Sequence, residues 1–226
     1  KIIVLLNKKK IANKNLKYLE EKKCTIIDIP THRKGPLYSI FLGLEKINKI
    51  IKDEQNIFIC YSDINWIWNF NQVKKQLFNT KAAILTHTGF HPHTLNNTKM
   101  AFIKESRGLV DEIKEKECYT DSPMEEHAST GTYYFRKGKY VKKYFDLTVE
   151  KNINYAGEFY VTLVYNLLIQ DGLKVGYYDT PFATVMGTPE EVENFEAWAN
   201  ILTKGQITNE EDLVKCYRYW KSYHKL

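Results

Sequence analysis

Two spacings of apolar residues alternate along the chain. Runs of strand length fall at residues 1–6, 24–29, 56–61, 82–86, 100–103, 109–113, 132–136 and 174–178. Between them Leu37, Ile40, Phe41, Leu44, Ile47 and Ile51 recur at helical spacing. So do Phe159, Tyr160, Leu163, Val164, Leu167 and Leu168, a helix predicted to stop at Gly172. Thr188-Pro189-Glu190-Glu191 reads as a helix start, with Thr188 as N-cap, Pro189 at the first position and Glu191 closing a capping box. Thr208-Asn209-Glu210-Glu211 repeats that signature before a last helix facing inward through Leu213, Val214, Tyr217 and Trp220. Strands alternating with helices, then hairpin-like strands and terminal helices, predict an α/β layered fold. One domain is expected over residues 1–226, with C-terminal helices from 189 to 226.

The run at 56–61 ends abruptly on Ser62-Asp63, followed by the aromatic, loop-like Ile64-Asn65-Trp66. A continuous apolar run predicts a central strand buried on both faces of a helix-covered sheet. Ligands in such sheets bind beyond the carboxyl ends of strands, where Asp63 would sit. A carboxylate there can hold Mg²⁺, which keeps waters and bridges to phosphate oxygens; the alternative is an Asp that turns the chain or caps a helix. Lys34-Gly35-Pro36 lies where a strand gives way to a helix, so Gly35 would allow close backbone approach and free N–H groups would favour an anion. Phosphate or nucleobase contact and an ordinary strand-to-helix loop both fit that motif.

Glu115-Lys116 closes an alternating strand, and Lys116 either meets a phosphate or decorates an exposed Glu/Lys strand. Gly131, between Ser129-Thr130 and the aromatic Thr132-Tyr133-Tyr134-Phe135, either admits a ligand to the backbone or marks a bulge. Glu158, after Gly157, precedes an amphipathic helix and could merely complement its dipole. His87, His91 and His93 lack a neighbouring cysteine and are expected to be surface loop histidines rather than a metal site. No Gly-rich phosphate loop and no nucleophile elbow occurs.

Composition narrows the classes. With 43% hydrophobic and 14% aromatic residues, wholesale disorder is excluded. The net charge of +6 is spread over lysines interspersed with acidic residues, which predicts solvated surface first, attraction of anionic small substrates second, and no nucleic-acid partner. No apolar run reaches transmembrane length, and the opening apolar stretch is too short for a signal peptide. Cys24, Cys60, Cys118 and Cys216 are scattered, which predicts reduced, buried thiols and a cytoplasmic location away from membranes.

Taken in order, Lys34-Gly35-Pro36, Tyr61-Ser62-Asp63, Glu115-Lys116, Ser129-Thr130-Gly131-Thr132-Tyr133-Tyr134-Phe135, Gly157-Glu158-Phe159-Tyr160 and Gly187-Thr188-Pro189-Glu190-Glu191 resemble a family. It is the nucleotidyltransferases that activate sugar phosphates and related small molecules for surface polysaccharides, and the similarity runs from Lys1 to about Trp198. Within that family the chain is most similar to capsule-locus members, including those that form a CDP-activated phosphoglutamine for capsule phosphoramidate. The resemblance implies a three-layer Rossmann-like nucleotidyltransferase fold, close to type A glycosyltransferases, with a mixed central sheet. It implies Mg²⁺ as cofactor and Asp63 as its ligand, Lys116 on the acceptor's phosphate, and Gly131 and Glu158 lining the acceptor pocket. Lys34, Gly35 and Pro36 would lie near the base of an NTP, with CTP preferred.

Two departures follow from the same resemblance. The family's first strand, Gly-rich loop and catalytic Lys would all precede Lys1, so their presence in the full-length protein is an expectation. Sugar-phosphate members also carry a metal-binding Asp two residues before the Gly-Thr pair, where Val185 stands; Asp179 is then the nearest substitute. A nucleotide-sugar glycosyltransferase, with Asp63-Ile64-Asn65 on the metal, and a non-catalytic relative remain alternatives. Homo-oligomerisation is left open.

Overall fold

The computed structural model describes residues 1–94 and 99–204. The helix expected from residue 208 onwards, with its inner face and Cys216, lies outside the described residues. In chain order the elements are β1 (Ile3–Leu6), α1 (Asn13–Glu21), β2 (Thr25–Asp28), α2 (Pro36–Asn48), β3 (Ile57–Cys60), β4 (Ile64–Ile67), α3 (Phe70–Leu77), β5 (Ala82–His87), β6 (Ala101–Ser106), β7 (Leu109–Glu115), β8 (His127–Phe135), α4 (Gly138–Glu150), α5 (Val161–Gln170), β9 (Val175–Asp179), β10 (Phe182–Val185) and α6 (Pro189–Lys204). All eight apolar runs become strands. The chain divides into two compact units, Lys1–Ile57 with Arg136–Leu167, and Phe58–Phe135 with Leu168–Leu226.

In the first unit β1 and β2 pair in parallel, Ile3 opposite Thr25 through Leu6 opposite Asp28. Leu37, Leu44 and Ile47 of α2 are buried, which is the predicted stripe. α4 buries Val141, Tyr144, Phe145 and Thr148 at helical spacing. Two acidic residues before it, Asp53 and Glu54, pair with Lys142 at 2.7 Å and Lys137 at 2.5 Å. These pairs are partly exposed and contribute little to stability.

The second unit is built on β5, all six of whose residues are buried. It pairs antiparallel with β8 (Ala82 opposite Phe135) and in parallel with β9 (Ala82 opposite Val175, Thr86 opposite Asp179). The order is β7-β6-β8-β5-β9, with β3 also pairing β8, so the central sheet is mixed as expected. α3, capped by Asn69, seals one face by packing Val73 and Leu77 with Ala83, Leu85, Tyr134 and Tyr178. Leu77 is 1% exposed, and its truncation to Ala would cost roughly 2–5 kcal/mol. β4 and β10 form a separate antiparallel pair, Ile64 opposite Val185.

Two expectations need correction. β3 is not buried on both faces: Phe58 and Cys60 face outward, and the doubly buried strand is β5. Its burial alternates along the strand, the pattern of a strand covered on one face only, and it pairs with β8. The thiols of Cys24, Cys60 and Cys118 are free, as expected, yet none of the three is fully buried. Among the described residues no helix is long and apolar enough to cross a membrane.

The helix signals hold. Gly172, at φ +72°, ends α5 as its N–H bonds Ile169 O and Leu173 N–H bonds Leu168 O, both at 2.9 Å. At α6, Glu191 N–H donates to Thr188 Oγ1 at 3.2 Å while Glu191 Oε2 accepts from Thr188 N at 2.9 Å, a closed capping box.

Gly35 precedes α2 at φ +83°, and a Cβ there would stand 2.6 Å from Phe159 O and 2.8 Å from Phe159 N. Gly35→Ala therefore adds left-handed strain to a collision with backbone. It is expected to destabilise the protein by about 2–4 kcal/mol, read as a lowered urea midpoint at unchanged m-value.

Candidate functional site

Asp63 stands between β3 and β4 and is fixed through its backbone. Tyr61 N–H donates to Gly131 O at 3.0 Å, and Met186 N–H donates to Asp63 O at 2.7 Å, continuing the β4–β10 pairing. Asp63 itself is exposed. Its carboxylate has no hydrogen-bond or ion-pair partner among the described residues. It lies against Gly187, where a Cβ would come within 2.6 Å of Asp63 Oδ2. Gly187 thus leaves room for the carboxylate that any side chain would displace. Gly187 N–H donates instead to Glu191 Oε2 at 2.9 Å, so the helix-capping carboxylate takes the local amide donors.

Near this position is a buried polar group, Tyr133, which the sequence marked only as part of an aromatic strand. Tyr133 is 2% exposed and its hydroxyl accepts from Ser129 Oγ at 3.3 Å. Burial first, then the charge of Glu115, hold the Tyr133 phenol well above its ordinary value, with Asp63 a lesser contributor. Glu115, the last residue of β7, is itself 6% exposed. Lys116 follows it in a left-handed conformation (φ +56°), its N–H bonded to Met100 O at 2.9 Å and its side chain half-buried. Strand alternation puts Glu115 on the buried face with Ile113, and the left-handed Lys116 ends the strand.

Gly131 (φ +66°) lies where the pairing of β8 becomes irregular. The β5–β8 register jumps from Leu85 opposite Thr132 to Thr86 opposite Ser129, so Thr130 and Gly131 form a bulge. A Cβ at Gly131 would meet Ile64 Cδ1 at 2.8 Å and Tyr61 Cδ2 at 2.9 Å. The space over it is filled by the protein's own side chains.

In the first unit Lys34, Gly35, Pro36 and Glu158 are neighbours. Phe159 N–H donates to Lys34 O at 2.8 Å, and Leu37 N–H donates to Phe159 O at 3.0 Å. The backbone that approaches Gly35 is therefore that of Phe159. Glu158 accepts a short hydrogen bond from the Tyr160 hydroxyl. Lys34 Nζ stands 4.8 Å from the Tyr38 ring centroid, and Lys34 N–H donates to His32 Nδ1 at 3.1 Å. Burial, and then the Lys34 charge, lower the His32 pKa.

Asp179, offered as second metal ligand, has other partners. Thr86 Oγ1 donates to its Oδ1 at 2.7 Å, and His127 Nδ1 stands 2.9 Å from the same carboxylate. Among the described residues no group of three or more His, Cys, Asp or Glu is placed to hold a metal ion. An ion at Asp63 would complete its shell with phosphate oxygens and water, the arrangement Mg²⁺ favours.

The expected surface histidines are a correction. His87 and His91 are 1% and 5% exposed, and their ring centroids lie 4.1 Å apart. His93 Nε2 is 3.2 Å from His87 Nε2, and His91 Nε2 accepts from Ala183 N at 3.2 Å. The three rings pack the end of β5 against β10. Burial lowers all three pKa values, that of His93 to about 3.

No family model matches the chain, and no curated protein matches it. Solved structures do. A nucleoside-diphosphate-sugar pyrophosphorylase from Vibrio cholerae RC9 superposes with a TM-score of 0.63 at 20% identity, over 81% of this chain and 76% of that one. A protein described as a glucose-1-phosphate thymidylyltransferase from Bacillus anthracis gives 0.61 at 15% identity, over 93% and 79%. An inositol-1-phosphate CTP transferase from T. maritima gives 0.55 at 12% identity, over 91% and 71%. The chain has the nucleotidyltransferase fold. At these identities the likeness establishes that Rossmann-like fold and no more.

The buried histidines give a pH dependence whose sign is fixed. Their pKa values in the fold lie below the unfolded value near 6.5, so their contribution is present above that pH and lost as pH falls towards the folded values. His127 is shifted upward by Asp179 and acts oppositely, its contribution present below pH 6.5 and lost above its folded value. Urea midpoints are expected to fall from pH 7 to pH 5, by up to about 1.4 kcal/mol per pH unit for each buried histidine. His93→Gln should flatten that slope. A slope unchanged in this variant would remove the cluster as its cause.

Proposed function

We propose that the chain is a Mg²⁺-dependent nucleotidyltransferase. It would transfer a nucleoside monophosphate from an NTP to a small phosphorylated acceptor. The observation that carries this reading is the exposed, unpartnered Asp63 carboxylate, fixed through its backbone on this fold and lodged against Gly187. An acceptor phosphate oxygen attacks the α-phosphorus in line, and the bond to the bridging oxygen breaks as pyrophosphate leaves with its electron pair. Mg²⁺, when bound, supplies charge neutralisation at the phosphates. Asp63 orients that neutralising charge, and Lys116 offers a point charge to the acceptor's phosphate. No side chain must form a covalent intermediate, so catalysis is placement plus electrostatics.

The finer assignments rest on the resemblance. CTP is the proposed nucleotide, and a structurally similar protein is described as a CTP transferase. A compact non-sugar acceptor such as phosphoglutamine, in capsular polysaccharide modification, is proposed because the second acidic position of sugar-phosphate enzymes is Val185, paired with Ile64, and Asp179 is engaged by Thr86 and His127. Lys34, Gly35 and Pro36 would serve the nucleotide, Glu158 and Gly131 the acceptor side. For Gly131 the role is indirect, through Tyr61 and Ile64 that cover it.

Asp63→Asn keeps the side chain's size and removes its charge, so turnover is expected to vanish at an unchanged urea midpoint. Retention of more than about a tenth of kcat would mean under 1.4 kcal/mol of transition-state loss, too little for this role. Lys116→Ala should raise the acceptor KM more than the NTP KM; an effect on the NTP alone would move Lys116 to the other substrate. Pyrophosphate release by the full-length protein, scanned over four NTPs against sugar 1-phosphates and phosphorylated amino acids, tests the substrate class. The highest kcat/KM for glucose 1-phosphate with UTP or dTTP would overturn the non-sugar reading.

A further inference from the structure

A chain of three side chains at one end of the second unit's sheet has no part in the scheme above. Thr86 and Asp179 are opposite one another in the parallel β5–β9 ladder, at the carboxyl ends of both strands, and the Thr86 hydroxyl donates to Asp179 Oδ1 at 2.7 Å. His127 opens β8, and its Nδ1 lies 2.9 Å from the Asp179 carboxylate. Three strands therefore fix the three groups. The His127 ring also rests on Tyr177, with centroids 4.6 Å apart, so both its position and its tilt are set. Glu105, the other nearby carboxylate, takes the Tyr177 hydroxyl.

What remains is His127 Nε2. It has no hydrogen-bond partner among the described residues, and the side chain is 24% exposed. A plain staple between strand ends needs only the Nδ1 contact and leaves the orientation of the far nitrogen unconstrained. Here the ring is held from one side by a carboxylate that is itself held by a hydroxyl, which is how an imidazole is oriented towards a ligand. The carboxyl ends of parallel strands are also where ligands of open α/β sheets bind.

We propose that His127 Nε2 is a contact for an anionic phosphate oxygen, with Asp179 and Thr86 as positioning residues behind it. This rests on the nucleotidyltransferase reading for the source of the anion, a phosphorylated substrate or the pyrophosphate product. Asp179 raises the His127 pKa against the opposing effect of partial burial, which favours a donating N–H at Nε2. A hydrogen bond from a charged donor to phosphate is short and strong, and its loss is readable in affinity.

The test uses the full chain with ¹⁵N-labelled histidine, titrated with inorganic pyrophosphate and, separately, orthophosphate. The His127 ring signals are expected to move saturably. His127→Gln should weaken pyrophosphate binding by about tenfold, and Thr86→Val by about threefold, each measured without urea at a pH where the variant's own urea titration shows it fully folded. Absence of any His127 shift at saturating pyrophosphate, or equal affinity in His127→Gln, overturns the proposal. The two readings separate cleanly. Intact turnover with unchanged anion affinity in His127→Gln removes His127 alone. Lost anion affinity in this variant, with a full-length protein that releases no pyrophosphate from any NTP, keeps the contact and removes the transferase.

Discussion

Everything in the second unit follows from the need to pair the backbone of β5. A strand with six buried residues has no water to satisfy its N–H and C=O groups, so a neighbour is required along both edges. β8 supplies one edge antiparallel and β9 the other in parallel. That pairing alone carries the start of β8 and the end of β9 to the carboxyl end of β5. Thr86, His127, Ser129 and Asp179 meet there although 93 residues separate the first from the last. The bulge at Thr130 and Gly131 then opens the ladder, and Tyr61 and Ile64 fill the gap it leaves.

The same edge holds histidines in two opposite electrostatic regimes. His87 is buried and His93 largely shielded, both among uncharged neighbouring rings, so desolvation decides and both stay neutral. His127 is partly exposed beside a carboxylate, so attraction outweighs desolvation and its pKa rises. A neutral pair can share one hydrogen bond, as His87 and His93 do at 3.2 Å, whereas two imidazolium rings at that distance would repel. The cluster works as packing with a proton inside it, and the dyad as an oriented polar group.

The elements legible in the sequence were those whose apolar signal was local. β1, β5 and β9 are carried by local apolar runs, β2 by Ile26, Ile27 and Ile29 around Asp28, and the caps of α5 and α6 are spelled by Gly172 and by Thr188 with Glu191. β4 was not legible, because only Ser62 and Asp63 separate it from β3 and its four residues look like a loop tail. α1 has only Leu16, Tyr18 and Leu19 as apolar residues, and none is fully buried, which is a short stripe to read. Site chemistry was legible as residue type but not as partner. Gly35 and Gly131 were marked as places where a ligand could approach the backbone, and in the fold the groups close to them are the Phe159 backbone and the Tyr61 and Ile64 side chains. The Asp179–His127 contact spans 52 residues, and no spacing rule connects them.

Asp63 shows how a carboxylate can be kept open on an edge rich in donors. The start of α6, a helix of 16 residues, presents amide N–H groups and the positive end of a dipole close by. Left alone, such groups draw in the nearest carboxylate, and Asp63 would become a cap. Glu191 prevents this by taking both Gly187 N and Thr188 N at 2.9 Å through a single oxygen. The dipole still favours negative charge beside it, but the Gly187 and Thr188 amides next to Asp63 are already bonded. Asp63 thereby keeps the electrostatic benefit of the helix start while its oxygens stay available to something that is not protein. A capping box read from the sequence as a helix signal is, in the fold, also what leaves the neighbouring carboxylate free.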